Sequence, residues 1–179
     1  MSQAKVTIIG RPNVGKSSFF NMFVGHKIAI VADEAGTTRD ISEYDMIDQD
    51  TGISYIVADS GGLDFGSKED EVAVDIIERT KMAIQESQLL IWLVEYDGFT
   101  TLDEQIYDVL RKQSKIPYVL VANKADNETK RLEAYSIAGK GEEMFFPISV
   151  SHNYGLKDIK IWVAKYLQSQ GYVAPEVDS

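Results

Sequence analysis

Two hydrophobic periods alternate along this chain. Short apolar runs within residues 5–9, 89–94 and 117–122 carry no polar alternation and predict buried strands, and residues 144–148 predict a last strand. Residues 41–47 roughly alternate apolar and polar, the mark of a strand with one wet face. Residues 53–58 form its partner across a turn at Asp50 and Gly52. Residues 16–24 predict a first helix. Ala73, Ile76, Ile77, Ala83 and Ile84 recur near a 3.6-residue period and predict a helix over 71–86. Further helices are predicted over 102–113, 131–138 and 155–168, the last with Leu156, Ile159, Trp162, Val163 and Leu167 on one face. Residues 25–40 are irregular. This alternation predicts an α/β domain over residues 1–170, a mostly parallel six-stranded sheet with one antiparallel strand and helices on both faces. Residues 171–179, with Pro175 and two acids, read as a linker start or a disordered tail.

Polar motifs gather at the strand ends, where such sheets bind ligands. After the first strand, Gly10-Arg11-Pro12-Asn13-Val14-Gly15-Lys16-Ser17 fits G-x-x-x-x-G-K-[ST] and leads into a helix through Ser18. The glycines let backbone N–H groups approach a phosphate, Lys16 brings charge to the terminal phosphates, and Ser17 offers a hydroxyl to Mg²⁺. Asp59-Ser60-Gly61-Gly62 fits D-x-x-G; downstream of a phosphate loop, the Asp holds Mg²⁺ and the Gly62 N–H faces a γ-phosphate. Asn123-Lys124-Ala125-Asp126 fits N-K-x-D. A carboxylate there accepts from guanine N1 and the 2-amino group, a donor pair adenine lacks. Asn123 ties this loop to the phosphate loop, and the Lys124 stem covers a base face. Ser149 and Val150, ending the last strand, present a backbone N–H toward guanine O6. Thr37 and Thr38 sit in the irregular stretch. Spacing alone does not choose between them as a Mg²⁺ ligand ordered by the γ-phosphate, and Thr38 is preferred. Asn13 reads equally as a turn residue or, through its amide oxygen, as a hard cation ligand.

Composition narrows the picture. The 179 residues include no cysteine, which excludes a disulfide scaffold, a thiolate metal site and a Cys nucleophile. The net charge of −10 argues against a broad basic face for nucleic acid, without opposing an anionic nucleotide at a local phosphate loop. No apolar run approaches a membrane span, and residues 1–5 run straight into the first strand, so no signal peptide and a cytoplasmic location are expected.

Together these motifs resemble the translation-factor-related G-protein superfamily. Residues Gly10 to Ser17, Gly36-Thr37-Thr38-Arg39-Asp40 and Asp59-Ser60-Gly61-Gly62-Leu63 resemble its bacterial Era/TrmE/Der group. Within that group, residues 28–33, 121–126, 134–139 and 148–152 are similar to the first G domain of the Der (EngA) GTPases. The resemblance covers residues 6–167. It implies a P-loop G domain that binds GTP and GDP and hydrolyses GTP with Mg²⁺ held by Ser17, Thr38 and Asp59. It also implies K⁺ beside Asn13 and a role in large ribosomal subunit assembly. The family carries Val before the switch Thr, where this chain has Thr37, which supports Thr38 as the matching ligand. It carries Ser-Ala where this chain has Ser149-Val150, and a backbone contact survives that change. Leu63 stands where Ras-like enzymes use a water-orienting Gln; an apolar residue there points to a partner's Arg or a monovalent cation. Lys16, Thr38, Gly62 and Asn13 are then the catalytic candidates. Family proteins carry a second G domain and a KH-like domain, so this sequence reads as a fragment, a monomer whose ribosome contacts lie in domains outside it. Two other classes compete: a GTP-dependent binding module with negligible hydrolysis, and an ATP-dependent small-molecule kinase, which N-K-x-D opposes.

Overall fold

The computed structural model describes residues 3–25, 42–61, 68–113 and 115–176. In chain order its elements are β1 (Ala4–Ile9), α1 (Lys16–Val24), β2 (Ser42–Ile47), β3 (Ser54–Asp59), α2 (Glu69–Glu86) and β4 (Leu89–Glu95). There follow α3 (Thr101–Gln113), β5 (Tyr118–Asn123), α4 (Glu128–Ala134) with a 3-10 turn at Tyr135–Ile137, β6 (Met144–Pro147) and α5 (Leu156–Ser169). The sheet runs β2-β3-β1-β4-β5-β6, and among the described strands only β2 is antiparallel.

The apolar runs are continuous because each strand serves two cores. In β4, Leu89, Ile91 and Leu93 face one cluster with Phe19, Phe20 and Phe23 of α1 and Ile159 and Val163 of α5. Leu90, Trp92 and Val94 point the other way, into a cluster with Ile76 of α2, Ile106 and Leu110 of α3 and Ala134 of α4. Successive strand residues point to opposite faces, so one sequence run fills both layers. β2 is one of the sheet's two edge strands, and its alternating exposure matches a single covered face.

The β2–β3 turn forms where Asp50 and Gly52 predict it. The Asp48 side chain accepts from the Thr51 N–H (2.8 Å) and hydroxyl (2.7 Å), and the Gly52 N–H donates to Asp48 O at 2.7 Å. Helix α4 starts earlier than the apolar spacing predicts, at Glu128. Asn127 caps it by accepting from the Lys130 N–H at 2.8 Å. Beyond α5, Tyr172 donates its N–H to Leu167 O at 3.1 Å and packs against the first core, and Ala174 lies beside Gly52.

Because β1, β3, β4 and β5 are parallel, their carboxyl ends share one edge. Gly10 follows β1, while Asp59, Glu95 and Asn123 end β3, β4 and β5. The order reverses at β1, between β3 and β4, which is where a doubly wound sheet opens a ligand crevice.

Candidate nucleotide site

The loop between β1 and α1 has a backbone that its glycines permit. Gly15 sits at φ 97°, and an added Cβ would lie 2.6 Å from Asn123 Nδ2. At Gly10 an added Cβ would lie 2.6 Å from Leu93 O. Both positions therefore exclude a side chain on two counts, conformation and space. Asn13 is left-handed too, at φ 70°. The loop delivers the chain into α1 with Ser17 and Ser18 exposed at its head and no acidic residue in the first turn. The open N–H groups of that turn are left to an anion, with no carboxylate in the turn itself to compete.

Lys16 leans across to β3. Its Nζ donates to Gly61 O at 2.8 Å and lies 3.9 Å from Asp59 Oδ1. Asp59 is buried, and it also accepts from the Gly61 N–H at 3.1 Å. Burial lowers the pKa of Lys16; the Asp59 charge opposes this, and the Arg79 charge reinforces it. Among the described residues no three His, Asp or Glu side chains converge. A divalent cation here would take one carboxylate and one hydroxyl, with water and phosphate completing the shell, a set that fits Mg²⁺. Asn13 is exposed on the loop's rim, and an amide oxygen there suits a hard monovalent ion.

On the other side, Asn123 joins three segments. It is buried; its Nδ2 donates to Val14 O at 2.9 Å, and its Oδ1 accepts from the Val150 N–H at 3.0 Å. The tie to the phosphate loop is the one the sequence suggests. Asn123→Ala leaves two buried backbone groups unpaired, so unfolding should become about 2–4 kcal/mol easier. Urea titration of the nucleotide-free chain measures this; a loss below about 0.5 kcal/mol would refute it.

Lys124 (φ 67°) donates to Asn13 O at 2.9 Å and pairs with Glu95 Oε1 at 3.1 Å. Its head is thus fastened to the phosphate loop while the stem spans the crevice. Asp126 accepts from the Ser149 hydroxyl at 2.6 Å and the Ser151 hydroxyl at 3.4 Å. The Ser149 bond holds its carboxyl below the usual carboxylate range. The N–H groups of Ser149 and Val150 do not point freely to a base: Ser149 donates to Tyr154 O at 3.1 Å, and Val150 donates to Asn123 Oδ1. The strand end is tied into a small bridge, and it is the Ser149 side chain that reaches the base loop. Thr37, Thr38, Gly62 and Leu63 lie outside the described residues.

The sequence reading missed a charged network behind the loop. Arg11 pairs with Glu95 Oε1 at 3.2 Å and Asp103 Oδ2 at 3.1 Å. Asp103 is buried at the start of α3 and also accepts from the Thr100 N–H at 2.8 Å. Glu95 therefore links Arg11 to Lys124, and so the phosphate loop to the base loop. Only a charged residue ending an otherwise apolar strand hinted at it.

The sequence pattern of the family described as 50S ribosome-binding GTPase matches residues 5–124, two-thirds of the chain. The chain belongs to this GTPase family. It is 36% identical to GTPase Der of Geobacillus sp. (strain WCH70) over 99% of its own length and 40% of that protein's. For GTPase Der of Geobacillus thermodenitrificans (strain NG80-2) the figures are 37%, 93% and 37%. The chain thus spans about two-fifths of the length of these relatives, matching a single G domain. Among solved structures, Era in complex with MgGDPNP and a fragment of 16S ribosomal RNA superposes with a TM-score of 0.71 at 26% identity, covering 100% of this chain and 59% of Era. Family membership accounts for the mixed sheet and for a GTP-binding, GTP-hydrolysing domain. No helix among the described residues is long and apolar enough to cross a membrane.

Proposed function

We propose that this G domain hydrolyses GTP to GDP as a switch. In this reading Gly10 to Ser18 cradle the phosphates, Ser17, Thr38 and Asp59 hold Mg²⁺, and Asn13 helps hold K⁺. Asp126 and Lys124 select guanine. Asn123, joining the base loop to the phosphate loop, carries the reading: base and phosphate are read by one connected unit. Lys16 swings from Gly61 O to the terminal phosphates and follows the charge that develops on them. Gly62, the last residue of D-x-x-G, brings its backbone N–H to the γ-phosphate. Mg²⁺, when bound, neutralises phosphate charge. The Leu63 side chain can neither donate nor accept, so orienting the attacking water falls to backbone groups, and K⁺, if held by Asn13, would supply positive charge beside the phosphates. Era's capture with MgGDPNP supports the Mg²⁺ assignment.

The same reading makes residues 1–170 a monomeric, cytoplasmic G domain acting in large ribosomal subunit assembly. The family's description and the Der relatives support that role. Contacts with the subunit fall mostly to segments outside this acidic chain. The cation assignment predicts faster GTP turnover in KCl than in NaCl at equal ionic strength, by about tenfold, the scale of one well-placed charge. Equal rates would remove K⁺ from the mechanism.

A further inference from the structure

Resting on that reading of the site, we infer that Arg79 is a positioning residue for GTP hydrolysis, acting through the backbone of Ser60 and Gly61. Arg79 lies on α2, one turn after Asp75. Its Nε donates to Asp75 Oδ2 at 2.9 Å, an i,i+4 ion pair with both side chains largely covered. That pair aims the guanidinium off the helix toward the end of β3. There NH1 donates to Ser60 O at 2.8 Å and comes within 3.4 Å of the point a Cβ on Gly61 would occupy.

Two successive carbonyls of Asp59-Ser60-Gly61-Gly62 are therefore held by two cations. Lys16 takes Gly61 O from the phosphate loop, and Arg79 takes Ser60 O from α2. The two bonds differ in what can displace them. A phosphate oxygen competes with a neutral carbonyl for the Lys16 ammonium and wins it, because a charged acceptor makes the stronger bond. The Arg79 bond lies beside a small cavity between α2 and the sheet, lined by Lys5, Thr7 and Ala83 among others, and its acceptor is a carbonyl that no phosphate replaces. When Lys16 lets go, the Gly61 carbonyl is released, while Ser60 stays fixed by Arg79 at its carbonyl and by its own N–H, which donates to Ile8 O at 3.2 Å.

Gly61 has the freedom to respond. It sits at φ 72° and carries no side chain to hinder rotation. Arg79 so makes Ser60 the pivot about which Gly61 turns when the γ-phosphate takes Lys16. With Leu63 unable to orient water, that backbone must be set from elsewhere, and α2 sets it. Arg79 does this without touching nucleotide, and Asp75 serves it by fixing its direction.

The test compares Arg79→Ala, Arg79→Lys and Asp75→Ala with the unaltered chain. It measures GDP affinity, affinity for a non-hydrolysable GTP analogue, single-turnover hydrolysis and amide exchange at Ser60 and Gly61. Arg79→Ala should slow single-turnover hydrolysis about tenfold and weaken the analogue severalfold while GDP binding changes less than about twofold, the scale of one charge-assisted hydrogen bond. Exchange at Ser60 and Gly61 should rise. Arg79→Lys should restore part of the rate, and Asp75→Ala should shift every quantity the same way by less. Equal losses for GDP and analogue, an unchanged rate, or no rescue by Lys would each overturn the proposal. An unaltered chain that binds analogue but never turns GTP over would overturn the hydrolysis reading instead. The affinity difference and the exchange at Gly61 would still test Arg79.

Discussion

Replacing Asp126 with Asn should lower GTP affinity about 10³-fold and turn the site toward xanthine nucleotides. Guanine offers two donors on one edge, N1–H and the 2-amino group, and a carboxylate accepts both. Each bond to a charged acceptor contributes about 1.5–3 kcal/mol, and each 1.4 kcal/mol is a decade in affinity. The surroundings of Asp126 keep it ready for this. Ser149, at 2.6 Å, donates to Oδ1 and favours the ionised form. An Asn there keeps one acceptor and sets an NH₂ against a guanine donor. Xanthine has a carbonyl at that position and accepts what Asn donates. Titration with fluorescent GDP and XDP reads both affinities. Unchanged GTP affinity would show that Asp126 does not touch the base.

The second large effect belongs to Lys16. Lys16→Ala should cut single-turnover hydrolysis about 10³-fold or more, with a smaller loss in GDP affinity, as removal of a preorganised charge from a transition-state site does. The asymmetry has a structural source. In the proposed site GDP would be held by the loop's N–H groups and the head of α1, which the substitution leaves alone. Charge that builds on the terminal phosphoryl group meets only Lys16 among this loop's side chains apart from the hydroxyls and the Asn13 amide. Burial lowers the Lys16 pKa, so its ammonium is poorly solvated and gains by moving to an anion. Saturating single-turnover assays, with thermal melting to check folding, decide it. Equal losses in rate and GDP affinity would mean that Lys16 only binds.

Most of this architecture was legible in the sequence, and the reasons are physical. Buried parallel strands must be apolar on both faces, so β4 and β5 announce themselves. The phosphate loop shows because a backbone crowded against Leu93 O and Asn123 leaves only Gly at positions 10 and 15. The Asn123 bridge was foreseeable because a buried amide after an apolar strand needs partners. What escaped were contacts that no local period encodes. Arg79 reaches Ser60 across 19 positions, and Arg11 reaches Asp103 across 92. The start of α4 was missed because its first turn, Glu128 to Arg131, is polar throughout and only Asn127 signals it. The N–H groups of Ser149 and Val150 were assigned to a base because the hairpin that takes one and the Asn123 amide that takes the other are tertiary facts.

The Asn123 bridge also bears on synthesis. Its bond to Val14 joins residues 109 positions apart, and its bond from Val150 spans a further 27. A ribosome adding roughly 5–20 residues per second needs about 5–20 s to travel from Val14 to Asn123. The phosphate loop therefore leaves the exit tunnel well before the residue that braces it. Until Asn123 and Asp126 emerge the nascent chain carries a cradle with no brace and no base loop, and until Val150 follows the Asn123 amide lacks its second partner, so GTP capture comes late in the synthesis of this domain.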